Sequence, residues 1–81
     1  MDKKLSELKP GQVAIIRKFD NDDIFLKLME MGCLPGEKIT LEKVAPLGGP
    51  ISVSIAGYSL SLRKSEANQI FVEVINWLSI I

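Results

Sequence analysis

Apolar residues fall into short alternating runs along most of this chain and switch to helical spacing in one window. Lys9-Pro10-Gly11 marks a turn, and Gln12 to Phe19 then reads as a strand in which Val13, Ile15 and Phe19 share the inward parity and Arg17 interrupts it. Ahead of that strand, Leu5 and Leu8 are expected to cover one edge of the core. Asp20-Asn21-Asp22-Asp23 supplies N-cap side chains and first-turn negative charge for a helix over about 22–31. Its apolar face is Ile24, Leu28 and Met31, with Phe25 and Met29 beside it, and Gly32 stops it. Gly32 and Pro35-Gly36 then make a stiff helix-to-strand corner, because Gly supplies positive φ and Pro pre-sets its own. Lys38 to Ala45 predicts a second strand with Ile39 and Leu41 inward and Thr40 and Glu42 outward.

Further along, the parity flips. Ile51, Val53 and Ile55 are odd, whereas Tyr58, Leu60 and Leu62 are even. A two-residue hairpin loop at Ala56-Gly57 accounts for the flip: Ile55 faces Tyr58, Val53 faces Leu60 and Ile51 faces Leu62, with all six apolar side chains on one face and the serines on the other. Lys64 to Asn68 is long enough for one helical turn, and Ile70 to Ile75 is a last strand with Ile70, Val72 and Val74 inward. About five short strands, regular turn signals and one inserted α-helix predict a mainly β fold, a small antiparallel β-barrel. The expected organisation is one domain over 1–76, followed by an apolar tail over 77–81. Trp77, Leu78, Ile80 and Ile81 in that tail would cap the barrel, make a homo-oligomer contact or insert into a partner groove.

Composition narrows the function. A chain of 81 residues buries only about 60–65% of its unfolded surface, which leaves little room for an enclosed substrate cavity. Ten basic and ten acidic residues cancel, so no whole-molecule field draws the chain to a nucleic-acid backbone, and no nucleic-acid partner is expected. The single Cys33 cannot form an internal disulfide, and the first residues, MDKKLSELKPG, lack the apolar core of a signal peptide, so a cytoplasmic location is expected. The longest apolar stretch, from Ile70 onward, is broken by Glu73 and Asn76 before it could span a bilayer.

Several chemistries are excluded. The chain has no histidine, which removes Ser-His and Cys-His nucleophile pairs and every His-containing metal site. No GxxxxGK[ST] phosphate loop is present, and counting a calcium loop from Asp20 puts Phe25 and Met31 where Gly and Glu are needed. No enzyme activity is expected. Met29, Met31 and Cys33 place three sulfurs within five residues, a weak candidate site for Fe²⁺ or another transition ion. The two methionines lie about 200° apart around a helix, however, which favours core packing. Lys9, Arg17, Lys18 and Lys27 could line one basic side, but without aromatic residues to stack bases they read as a solvated face. Between Pro46 and Pro50, Leu47 on a stiff loop is a plausible contact for a partner, since rigid loops lose little entropy on binding.

The order Leu28, Met31-Gly32, Leu34-Pro35-Gly36, a strand, Pro46-Leu47-Gly48-Gly49-Pro50, the hairpin, Leu62-Arg63 and Glu66-Ala67 closely resembles the A-protein family of bacterial ferrous iron transport systems. The resemblance runs from Leu5 to about Val74. It implies an SH3-like barrel related to the C-terminal domain of iron-dependent repressors, and a cytosolic accessory or regulatory module held at the inner membrane through its partner. That partner would be the B component, a membrane transporter with a GTPase domain. The residues that the resemblance implies for docking are Leu34, Pro35 and Gly36 at the corner and Leu47, Gly48 and Gly49 in the loop. No cofactor is required by it. The alternative function it leaves open is a transition-metal sensor or carrier, as in the related repressors.

Overall fold

The computed structural model describes residues 2–75, so the tail over 77–81 lies outside the described residues. Six antiparallel strands form one sheet. In chain order they are β1 (Lys3–Lys4), β2 (Val13–Phe19), β3 (Lys38–Val44), β4 (Ile51–Ile55), β5 (Tyr58–Leu62) and β6 (Ile70–Val74). Across the sheet the order is β1-β6-β2-β3-β4-β5, and β1 and β5 are not bonded to each other, so the barrel is open. The strand beyond the five expected is β1, two residues too short to show alternation. A nine-residue helix, α1 (Asp22–Glu30), lies between β2 and β3, and one turn of helix, α2 (Lys64–Ala67), joins β5 to β6.

Local chemistry accounts for most of these boundaries. Asn21 caps α1, its side chain accepting from the Ile24 amide at 2.9 Å, with Asp22 and Asp23 in the first turn. The helix closes in a Schellman motif: the Cys33 amide bonds the Leu28 carbonyl at 2.9 Å and the Gly32 amide bonds that of Met29 at 3.0 Å. Gly32 holds φ at 89°, which a side chain adopts only with strain. At the β4–β5 hairpin, Ala56 and Gly57 have φ of 51° and 88°, a type I′ turn, and the register is the one expected, with Ile55 opposite Tyr58, Val53 opposite Leu60 and Ile51 opposite Leu62.

Two orientations differ from the sequence reading. On β2 the buried residues are Ala14 and Ile16, while Val13 and Ile15 are only half-buried. Val13 to Ile16 is an unbroken apolar run, so alternation carries no sign there. Register supplies it, because Ala14 pairs with Ile39 and Val74, and Ile16 with Val72, all core residues. Past Ile16 the register shifts by one residue at Arg17, and the bulge returns Phe19 to the core side. The second difference is on β5, where Leu62 is buried, Leu60 half-buried and Tyr58 is 43% exposed. Tyr58 lies at the rim, where its hydroxyl donates to the Met31 carbonyl at 2.5 Å and ties the hairpin to the end of α1.

The core is the closed side of this sheet. Ile39, Leu41, Ile51, Val53, Ile55, Leu62, Ile70 and Val72 come from the strands; Leu5, Leu8, Leu28 and Ala67 plug its open sides. Every residue expected to point inward on β3, β4 and β6 does so.

Candidate functional site

The loop between β3 and β4 is a short 3₁₀ turn, Pro46–Gly48, closed by the Gly49 amide on the Pro46 carbonyl at 3.2 Å and the Ala45 amide on the Pro50 carbonyl at 3.1 Å. A side chain at Gly49 would come within 2.8 Å of the Ala45 methyl, so the loop needs its glycine for close packing. At its tip Leu47 sits in the left-handed region, φ 59° and ψ 37°, with 103% of its surface in water. That conformation costs a non-glycine residue about 1–2 kcal/mol, and here no burial of the side chain offsets it. The Leu47 side chain therefore adds no burial to the fold of this domain.

Beside this loop is an open groove of about 690 Å³, walled by Gly48, Gly49 and Pro50 on one side and by Ser61 to Ser65 on the other. Arg63 and Lys64 are exposed along it, with no acidic residue in either wall. The groove wall is held from beneath by Glu66. One carboxylate oxygen accepts from the Arg63 backbone amide at 2.9 Å and the other is paired with Lys27 of α1. The Lys27 hydrogen bond, with the Arg63 amide adding to it, draws the Glu66 carboxyl below its ordinary range despite burial. The folded-state pKa is lowered, so this anchor stabilises the domain above about pH 4.3, the ordinary glutamate value, and fades as pH falls through the lower folded value. Urea unfolding of wild type and Glu66→Gln at successive pH values should therefore show a gap at neutral pH that closes in acid. A gap independent of pH would refute the linkage.

The second predicted contact lies elsewhere. Leu34 is 38% exposed, Pro35 and Gly36 are exposed, and the Gly36 amide is bonded to the Ile16 carbonyl at 2.7 Å, which fixes the corner against β2. This corner precedes β3 and the Leu47 loop follows it. Seven residues of strand separate them, about 20 Å at the rise of a β-strand. The structure thus brings Gly48 and Gly49 together with Arg63 and Lys64 around one groove, with Leu47 at the tip of the adjoining loop, and leaves Leu34, Pro35 and Gly36 at the far end of β3. Arg63 lies inside a motif in the sequence, but nothing there places it beside Gly48 and Gly49, because the intervening residues make the hairpin that joins them.

The sulfur residues occupy three environments. Cys33 is wholly buried and burial pushes its thiol up, Met31 packs on the core edge, and Met29 is 38% exposed on α1. Among the described residues no group of three His, Cys, Asp or Glu side chains is arranged to hold a metal ion. Three of the four basic residues read as a solvated face have partners of their own: Arg17 pairs with Glu73, Lys27 with Glu66, and the Lys18 ammonium sits 5.4 Å from the centre of the Phe71 ring. Among the described residues no helix is long and apolar enough to cross a membrane.

Set against known proteins, residues 3–74 match the FeoA domain. The chain belongs to the FeoA domain family. The match takes in every strand and both candidate contacts. A Porphyromonas gingivalis protein described as a fusion of Fe(2+) transport protein A with the Fe(2+) transporter FeoB is 39% identical over 74 residues, covering 90% of this chain and 9% of the fusion. This chain therefore spans less than a tenth of that relative's length. Among solved structures, the FeoA-like protein of Clostridium acetobutylicum superposes with a TM-score of 0.86 at 38% identity, covering 94% of this chain and 90% of the other. A Stenotrophomonas maltophilia FeoA complexed with zinc and described as an SH3 domain protein follows at 0.73 and 31%, covering 90% and 89%. The FeoA domain here is thus an SH3-like fold. It is also similar to part of the T. acidophilum IdeR, at a TM-score of 0.78 and 28% identity, covering 91% of this chain and 34% of that one.

Proposed function

We propose that this FeoA domain is a non-catalytic, cytoplasmic accessory module of bacterial ferrous iron uptake. It docks on the cytosolic part of the membrane transporter, the B component, and is peripheral to the inner membrane through that contact. Its main support is the P. gingivalis fusion, in which a region 39% identical to this chain is covalently joined to FeoB. A fusion keeps two modules at high local concentration, which is useful where they act on each other. The Leu47 loop is the primary contact in this reading, because its exposed, strained side chain is what a partner's apolar pocket would cover. The Leu34-Pro35-Gly36 corner, about 20 Å away, makes a second contact on the same partner.

Co-purification with the B component, followed by GTP hydrolysis assayed with and without the domain, tests this directly. The expected result is a stable complex with an altered hydrolysis rate. Failure of the folded domain to associate with the transporter in any nucleotide state would end the proposal. The metal-sensor alternative has narrower support, the zinc complex of the S. maltophilia relative, and here the three sulfurs do not share one environment.

A further inference from the structure

We propose that the outer edge of β5, continuous with the Arg63-Lys64 groove, takes an acidic extended segment of the partner as a seventh strand. The inference rests on the docking reading above and specifies its chemistry. In a hairpin with a two-residue type I′ turn the flanking pair is hydrogen-bonded, and bonded pairs alternate with unbonded ones. Ile55–Tyr58, Val53–Leu60 and Ile51–Leu62 are therefore the bonded pairs. The amides and carbonyls of Ser59 and Ser61 then point away from β4. Since β5 ends the sheet, they face no neighbouring strand among the described residues.

The two edges of the sheet differ in protection. β1 is two residues long and consists of lysines, both features that blunt an edge against strand addition. β5 is five residues long, YSLSL, with no charge, no proline and no bulge against β4. Its outward residues are serines, small enough to let another backbone approach. Arg63 and Lys64 stand where an added strand would leave the edge, and Gly48, Gly49 and Pro50 form the other wall of the groove.

Charge selects the occupant. From Ala56 to Lys64 the chain has no acidic residue, and the Glu42 carboxylate that touches β5 already accepts from the Ser59 hydroxyl at 3.1 Å, so β5 of a second copy brings no free carboxylate of its own to Arg63 and Lys64. An acidic segment of another protein does. A nucleic acid or lipid headgroup would satisfy the cations but would leave the Ser59 and Ser61 amides without partners, and would set their carbonyls against phosphate.

The test uses the intact domain and the detergent-purified B component. On complex formation, hydrogen exchange at the Ser59 and Ser61 amides should slow about tenfold or more, while Tyr58, Leu60 and Leu62, already bonded to β4, change little. Ser61→Pro removes an amide that bonds no neighbouring strand among the described residues, so it should leave the domain cooperatively folded, at a small cost from proline's fixed φ, and weaken binding about tenfold. Arg63→Gln with Lys64→Gln should weaken binding and flatten its salt dependence. If wild type binds the transporter but Ser59 and Ser61 exchange as before, the strand addition is overturned while docking stands. If wild type does not bind, both fall. Binding of single-stranded RNA or anionic vesicles that the double Gln variant abolishes and Ser61→Pro leaves intact would also overturn it.

Discussion

Gly32→Ala is expected to lower the unfolding free energy by about 2 kcal/mol and the thermal midpoint by on the order of 10 °C. Two costs add. Gly32 closes the helix with φ at 89°, where a β-carbon costs about 1–2 kcal/mol. A β-carbon there would also overlap the Tyr58 hydroxyl, with the ring Cζ at 3.3 Å, so the ring must swing out and give up its bond to the Met31 carbonyl. Tyr58 is at the rim and free to move, so this second cost is that of one hydrogen bond, about 1 kcal/mol. Urea unfolding of the single variants and of Gly32→Ala with Tyr58→Phe separates the parts. The double variant should be less destabilised than the sum of the singles, because once the hydrogen bond is gone the displaced ring has less to lose. Strict additivity would show that backbone strain alone is at work.

Leu47→Asn is expected to act in two directions at once. Asn accepts the left-handed region far better than Leu, and the Leu47 side chain buries nothing, so stability should rise by about 0.5–1 kcal/mol. Binding to the transporter should fall about tenfold or more, since the one large apolar group at the loop tip is lost. Denaturant midpoints and affinity measured on the same preparation decide the matter. A more stable variant with unchanged affinity would remove Leu47 from the interface and leave its strain unexplained. Leu47→Gly serves as the control for backbone alone: it relieves the strain but gives the unfolded chain more freedom, so its stability should stay near that of wild type while its affinity falls with that of Asn.

The hairpin register, the start and end of α1 and the inward faces of β3, β4 and β6 were legible in the sequence because each is set by neighbours within a few residues. Asn21 can cap only the helix that follows it, and a parity flip between Ile55 and Tyr58 has one short solution. The family resemblance was legible for the same reason: its markers are glycines and prolines that fix backbone turns in place. On β2 alternation carries no sign, because Val13 to Ile16 are all apolar and a bulge at Arg17 changes the phase again. Alternation puts Tyr58 on the inward side but does not say how far the opposite wall extends, so its exposure at the rim comes from the fold.

The candidate site divides along the same line. Leu47 could be singled out from the residues around it, since proline and glycine flanking a leucine leave it little to pack against, and Gly48 and Gly49 joined it through the family resemblance. That Leu47 is strained, that Arg63 and Lys64 share a groove with Gly48 and Gly49, that the Leu34 corner lies at the far end of β3 and that β5 ends the sheet with the Ser59 and Ser61 backbone turned outward are set by pairings between segments distant in the chain. By itself the sequence determined the turns, the helix and most strand faces, because these follow from local sterics and from the period of apolar residues. Only the tertiary structure decided which edges stay unpaired and which loops become neighbours, because those depend on how a sheet of six short strands coils and stops before closing.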